Sequence, residues 1–228
     1  NILTGVVTAA AILWTLFPLY YLFLTSVKSG KTIMEYPPRF LVWPDFGIYQ
    51  HIFIKEHFYW FFVNSFIISS GATLLALVIG ATAAFAFSHW SFRGKEPLFL
   101  ASMVGRMFPP ITTLIPIYLG VKLFNLVDTH LALIMIYASF QVPLILLILR
   151  DFFNQVPREI TECAYIDGCS SWMVFYRIVL PLAKNGIVAA GILCFVEAWN
   201  EFIFALVLTS FNAKTAPVVL ATFVENEG

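Results

Sequence analysis

The sequence predicts an all-α, polytopic integral membrane protein with five spanning helices. Three observations carry that expectation. Of the 228 residues, 60% are hydrophobic and 11% are charged, whereas soluble domains carry roughly 25% charged residues. The mean hydropathy is +0.86. Five windows are apolar over the ~20 residues that a helix needs to cross a bilayer.

The first window runs from Ile2 to Val27. It lacks the basic front and small-residue cleavage site of a removable signal peptide. The second, Phe61 to Phe87, is rich in small residues: Gly71, Ala72, Gly80, Ala81, Ala83 and Ala84. Such residues let helix backbones approach closely, which packing in lipid requires. The third runs from Leu98 to Leu119, the fourth from Leu131 to Leu149 and the fifth from Gly186 to Leu208. Each is apolar on nearly all sides, as expected of helices bathed in lipid.

Polar pieces separate the windows. Lys28 to Tyr59, with Pro37, Pro38 and Pro44, reads as an ordered extramembrane loop. Ser88 to Pro97 is short and basic, Gly120 to His130 reads as a link lying flat at the interface, and Phe211 to Gly228 reads as a polar tail. The whole of 1–228 is expected to form one domain, with 151–182 as a loop inside it.

Charge excludes one class of partner. Lys and Arg number 13, Asp and Glu number 13, and the net charge is zero, so no basic surface calls for nucleic acid. Basic residues in short loops should set the orientation. One set comprises Arg93, Lys95, Arg150, Arg158, Arg177 and Lys184; the other comprises Lys28, Lys31, Arg39, Lys55, Lys122 and Lys214. The sets are equal, and only the short Ser88 to Pro97 loop favours the first as cytoplasmic.

The most organised polar stretch is ECAYIDGCSSWMVFYRIVLPLA, from Glu162 to Ala183. Pro157 suits a helix start, where its missing N–H costs nothing. A helix from Arg158 to Asp167 follows, with Glu159 and Glu162 in its first turns, where the dipole favours anions. Gly168 is a left-handed C-cap, and Ser170 or Ser171 caps a second helix. Trp172, Phe175, Tyr176 and Val179 fall at helical spacing and read as one aromatic face; Pro181 ends or kinks the helix. Cys163 and Ala164 give the first helix a thin, small-residue face suited to another protein's groove; the alternative on composition alone is an ordinary amphipathic loop at the membrane interface.

A catalytic or metal site is not expected. Cys163, Cys169 and Cys194 make an odd count, and the first two lack both zinc-ligand spacing and a following histidine. The histidines, His51, His57, His89 and His130, are scattered over separate loops. No GxxxxGK[ST] sequence is present, so ATP chemistry would lie on a partner.

The stretch resembles the signature of the membrane subunits of bacterial and archaeal ABC importers: Glu-Ala-Ala, Asp-Gly-Ala, about nine residues, then Ile-x-Leu-Pro. Here it reads Glu162-Cys163-Ala164, Asp167-Gly168-Cys169, Ile178 and Leu180-Pro181, in register, with two alanines replaced by cysteine. The flanking FFNQVPREI and WNEFIFALVLTS are similar to the carbohydrate branch, specifically the maltose-type second permease. The resemblance implies a type I importer bundle whose loop at Glu162 is a coupling helix docked on an ATPase subunit. It implies roles too: Glu162 contacts that subunit beside Cys163 and Ala164, Asp167 braces the turn, Gly168 makes it, and Pro181 leads into the fifth spanning helix. It implies a second homologous permease, two ATP-binding subunits holding ATP and magnesium, and an extracytoplasmic sugar-binding protein. It places the chain in the cell membrane with the N-terminus and coupling loop cytoplasmic, and a sixth spanning helix beyond Gly228.

The solute path is expected on the fifth helix. Glu197 and Glu201, four apart, would share a face, with Asn200 beside them. Carboxylates at membrane depth normally face a cavity or a partner. Arg106, before Pro109-Pro110, reads as the only clearly buried cation and a partner for them. Trp199 could stack on a sugar ring. The alternatives are that the two glutamates brace subunit contacts near the outer end and that Trp199 anchors the interface. An ion-coupled secondary carrier, the rival reading, would need intramembrane charges repeated across an internal duplication, which the sequence lacks.

Overall fold

The computed structural model describes residues 2–28, 30–33, 35–37, 39–40, 42–55 and 58–227. Pro38, His57 and Gly228 lie outside the described residues. The described residues are helical and contain no strand. Three helices, Thr4–Ser26, Phe58–His89 and His130–Asn154, are long and apolar enough to cross a membrane; two bent pairs bring the number to five if each pair forms one span.

The chain divides into two compact units, Asn1–Tyr59 and Trp60–Gly228. The first holds α1 (Ile2–Ser26), α2 (Gly30–Ile33), α3 (Gly47–Gln50) and a π-helical turn at His51–Lys55. Tyr20 Oη donates to the Phe40 carbonyl at 2.7 Å and Tyr49 Oη to Ser26 Oγ at 2.6 Å. Asp45 N–H donates to the Val27 carbonyl at 2.9 Å. The described part of the segment after α1 is thus folded back on the end of that helix.

The second unit is built on α4 (Phe58–His89), α5 (Lys95–Met107), α6 (Pro110–Leu123), α7 (His130–Asn154), α8 (Arg158–Ile166), α9 (Ser171–Val174), α10 (Leu180–Leu182), α11 (Lys184–Trp199), α12 (Ile203–Leu208) and α13 (Ala216–Glu227). A π-helical turn at Phe175–Val179 joins α9 to α10. Helix α7 is the centre of the core: Ile145, Leu149 and Phe153 are buried in one cluster with Ala76 and Ala84 of α4 and Ala190 and Cys194 of α11. Contact is close because glycines stand at the crossings. A Cβ on Gly80 would lie 2.5 Å from Ile145 Cγ2, and one on Gly186 would collide with the Phe152 ring. Without a hydrophobic drive between helices in lipid, such approach is what gives dispersion contact.

Five expectations are corrected. The third window is not one helix: α5 and α6 meet at 95°. Phe108 and Pro109 are extended, with ψ of 128° and 136°, because each precedes a proline, which disfavours the helical region. The fifth window also breaks, with α11 ending at Trp199 and α12 starting at Ile203. The polar tail contains α13, and the link before His130 is a tight turn in which Asn125 and Asp128 have φ of 54° and 60°. Finally, Arg106 is not the one buried cation, since its side chain is 30% exposed against 18% for Arg150.

The turn before His130 holds a polar clamp. The Asp128 carboxylate accepts the backbone N–H groups of Ser210, Phe211, Asn212 and Ala213 at 3.0 to 3.3 Å. Asn64 Nδ2, on α4, donates to the carbonyls of Asn212 and Lys214, and its Oδ1 lies 2.8 Å from His130 Nε2. Ser65 Oγ accepts the Ala216 N–H, which starts α13. One carboxylate and one amide thus tie α4, the α6–α7 turn and the α12–α13 link at one end of the unit.

Partial burial would raise the Asp128 pKa, but the four backbone N–H bonds outweigh it and hold the carboxyl below its ordinary 3.8. A depressed folded-state value contributes stability above the unfolded-state pKa and loses it as pH falls through the folded one. Wild-type thermal stability should therefore decline on acidification below about pH 4. Asp128→Asn should lower stability at neutral pH by about 1–2 kcal/mol and flatten that decline, measured as the inactivation midpoint of the solubilised protein against pH.

Candidate functional site

Two regions carry the residues singled out above. The first is the helix-turn-helix from α8 to α10. Gly168 has φ +84°; its N–H donates to Tyr165 O at 3.1 Å, and Cys169 N–H donates to Ala164 O at 2.9 Å. That pair of bonds is a Schellman motif, which satisfies the free carbonyls at the helix end and needs a left-handed residue at the glycine. Asp167 closes the helix through its backbone, donating its N–H to Cys163 O at 2.9 Å. Its carboxylate makes no hydrogen bond among the described residues, so the expected brace comes from the backbone and not the side chain. Ser170 caps α9, accepting Met173 N–H at 3.3 Å.

The motif fixes which residues face out. Ala164 is buried and Cys169 packs half-buried against the same core cluster, the small apolar contact that accompanies this turn. Glu162, Cys163, Asp167 and Gly168 are exposed, as are Ile166 at 85%, Trp172 at 66% and Tyr176 at 68%. The expected aromatic face is therefore split: Phe175 and Val179 turn into the core while Trp172 and Tyr176 turn out. The π-helical turn at Phe175–Val179 changes the period on which that face depended. Pro181 follows in α10, and the chain bends by 78° into α11.

The second region is a cavity of about 330 Å³ at the breaks between α5 and α6 and between α11 and α12. Arg106, Tyr137, Gln141, Glu197 and Glu201 line it with Phe140 and Phe204. Arg106 Nη2 forks onto both Glu197 oxygens at 2.8 and 3.0 Å, and its Nη1 donates to the Phe140 carbonyl at 2.9 Å. Glu201 lies beyond the end of α11 and does not share a helical face with Glu197. It accepts Tyr137 Oη at 2.5 Å and caps α12 by accepting the N–H groups of Phe204 and Ala205.

The structure thus gathers Arg106, Glu197 and Glu201 and leaves out the other two candidates. Trp199 packs on Phe62 and Phe195, each at 5.8 Å between ring centroids. Asn200 is exposed and donates to its own helix at Val196 O. Tyr137 and Gln141 were not singled out in the sequence. Gln141 Nε2 donates to Cys194 O at 2.9 Å and its Oε1 has no partner among the described residues; its one signal is an amide inside an apolar window. Arg150 pairs with Glu96 and lies 4.3 Å from the Phe99 ring centroid, fastening α7 to α5. No group of His, Cys, Asp or Glu among the described residues has metal-binding geometry.

A bundle of apolar helices with a glycine-turned surface hairpin and a polar cavity at helix breaks defines a polytopic membrane protein of the transport class. Residues 76–225 match the family of binding-protein-dependent transport system inner membrane components, and the chain belongs to that family. It is 34% identical to the trehalose transport system permease protein SugB of Mycobacterium tuberculosis, over 92% of this chain and 77% of that one. It is 32% identical to the sulfoquinovosyl glycerol transport system permease protein SmoH of Agrobacterium fabrum, over 88% and 70%. A solved bacterial ABC transporter that imports the acidic polysaccharide alginate shares its fold, with a TM-score of 0.81, 23% identity and coverage of 100% of this chain and 80% of that chain. The family is that of inner-membrane permease subunits of ABC importers, and its named relatives are transport permeases, not enzymes.

The two glutamates should differ in kind. Glu201→Ala removes a helix cap and strands a tyrosine hydroxyl, and should destabilise the solubilised protein by about 2–3 kcal/mol. Glu197→Gln keeps a neutral bond to Arg106 at a half-exposed site and should cost under about 1 kcal/mol. Thermal inactivation midpoints of the two variants decide this.

Proposed function

We propose that this chain is one of two membrane subunits of an ATP-driven, binding-protein-dependent importer of a di- or oligosaccharide. In this reading it forms half of the translocation path. The second half comes from a homologous permease, ATP and magnesium are held by two ATPase subunits, and an extracytoplasmic binding protein delivers the sugar. The observation that carries the coupling role is the Schellman-turned hairpin. Ala164 and Cys169 are committed to the core while Glu162, Ile166, Trp172 and Tyr176 are presented outward, a rigid knob shaped for a cleft. On that assignment 151–182 is the coupling loop of a domain covering 1–228, and the loop and the N-terminus are cytoplasmic. The names of SugB and SmoH support a sugar or sugar derivative as the solute.

ATP binding shifts the permease only if one conformation of the assembly binds it better. The hairpin would transmit that preference as a lever: Ala164 and Cys169 join it to the cluster that includes Ile145, Phe153 and Phe175, so α8 does not move without the bundle.

Gly168→Pro tests the lever. Proline cannot adopt a positive φ, so the variant should reach the membrane, lose sugar uptake and leave ATP hydrolysis unstimulated by the binding protein. Normal uptake would sink the coupling role. Replacing both Cys163 and Cys169 by Ala should leave uptake within about twofold, since small size is what the turn needs.

The solute path rests on the cavity between Arg106 and Glu201, where hydroxyl-rich ligands would find donors and acceptors. Glu197→Gln releases Arg106 from its ion pair and should change the apparent affinity for sugar in proteoliposome uptake by about threefold or more. Unchanged affinity and rate would remove this cavity from the path.

A further inference from the structure

Helix α1 ends without an exposed charge to anchor it. Its last turn holds no basic residue. The first cation after it, Lys28, is only 3% exposed, and its ammonium lies 5.9 Å from the Tyr21 ring centroid. Spanning helices are fixed in depth by Lys and Arg at the bilayer surface or by Trp and Tyr in the interface. The segment after α1 supplies anchors of the second kind.

The 25 residues of α1 rise about 37 Å, against ~30 Å of hydrocarbon and ~40–45 Å with both headgroup layers. Centred in a bilayer, the helix ends inside the headgroup layer. Tyr20 stands six residues before Ser26, about 9 Å back along the axis, so its backbone lies below the hydrocarbon edge. Two contacts bring Phe40 down beside it: the Phe40 carbonyl accepts Tyr20 Oη at 2.7 Å, and the Phe40 ring centroid is 6.4 Å from that of Tyr21. By Asp45 the chain has climbed back to the helix end, where the Asp45 N–H donates to the Val27 carbonyl at 2.9 Å. The segment therefore dips along α1 and comes out again. Aromatic side chains stand out from the dip: Tyr36 and Trp43 are each 94% exposed, and Phe40 is 49% exposed. The ion pair between them, Arg39 with Glu35 at 2.9 Å, cancels its own charge.

We propose that Tyr36, Phe40 and Trp43 bind the bilayer itself, as an aromatic anchor seated where headgroups meet acyl chains, and so fix the depth of α1. The bonds from Phe40 to Tyr20 and Tyr21 favour lipid as the occupant. They hold this backbone at a depth that a water-soluble partner does not reach. Trp and Tyr are also the residue types whose rings, apolar in body and polar at the tip, suit that boundary. The proposal depends neither on which solute is carried nor on the role of the hairpin.

The test is tryptophan fluorescence of the whole importer complex in phospholipid vesicles, with the Trp43 signal taken as wild type minus Trp43→Phe. That signal should lose about half its intensity to phospholipid brominated high on the acyl chain, because the ring would lie in the ~5–10 Å boundary layer. It should resist aqueous iodide present on both sides of the membrane. Phe40→Trp, made in the Trp43→Phe background, moves the reporter to the level of Tyr21 and should be quenched as well by bromine set deeper in the chain. A signal from either position that iodide quenches and bromolipid does not overturns the proposal. So does a signal that neither quencher reaches, which assigns the ring to a neighbouring membrane subunit. Protection from iodide that appears only on adding the extracytoplasmic binding protein overturns it too, and assigns the face to that protein.

Discussion

Inside a bilayer no water is available to a freed backbone group, so every N–H and C=O must be answered by the protein. The rest of this structure depends on how that constraint is met where helices break. Between α5 and α6 the chain leaves the helical region because of consecutive prolines, and Arg106, one residue before Met107, reaches across to the Phe140 carbonyl at 2.9 Å. Between α11 and α12 the Glu201 carboxylate takes the N–H groups of Phe204 and Ala205 at 3.0 and 3.3 Å. The two breaks adjoin, so Arg106 near one and Glu201 at the other converge on one cavity. At Glu201 the polar side chain is thus a consequence of the broken helix and not an addition to an apolar wall.

The same constraint explains the division of labour along α4. Its start carries Asn64 and Ser65, which bond into the α12–α13 link, and its middle carries the alanines and glycines that admit α7 and α11. Its end carries Ser88 and His89, which meet the hairpin cavity. One end is fastened by hydrogen bonds, the middle by close packing, and the far end meets the hairpin. Dispersion over a close crossing holds helices rigidly, which is what the proposed coupling through the hairpin requires.

Much of this was legible in the sequence because it rests on local rules. The apolar windows located α1, α4 and α7; the glycine turn at Gly168 and the cap at Ser170 follow from backbone preference alone. What was not legible rests on pairing over long sequence separations. Asp128 bonds a segment more than eighty residues away, and nothing near either segment signals it. Glu197 and Glu201 have helical spacing, so only knowledge of the break at Asn200 separates their roles. The split of Trp172 and Tyr176 from Phe175 and Val179 needed the π-helical turn, which periodicity cannot reveal.

The charge count around the cavity has a mechanical meaning. Arg106 is one positive charge shared between a carbonyl and the Glu197 carboxylate, while Glu201 is held by a tyrosine hydroxyl and a helix start. Glu201 is therefore part of the frame: to free it, α12 must lose its cap. Glu197 is part of the filling, because its hold on Arg106 is a side-chain fork at a half-exposed position, which a ligand or a turn of α11 can break without unfolding either helix. The solute path proposed above would need contacts of the second kind set into a wall of the first. The bent α5–α6 pair supplies the arginine, the last turn of α11 supplies Glu197 and the α11–α12 break supplies Glu201.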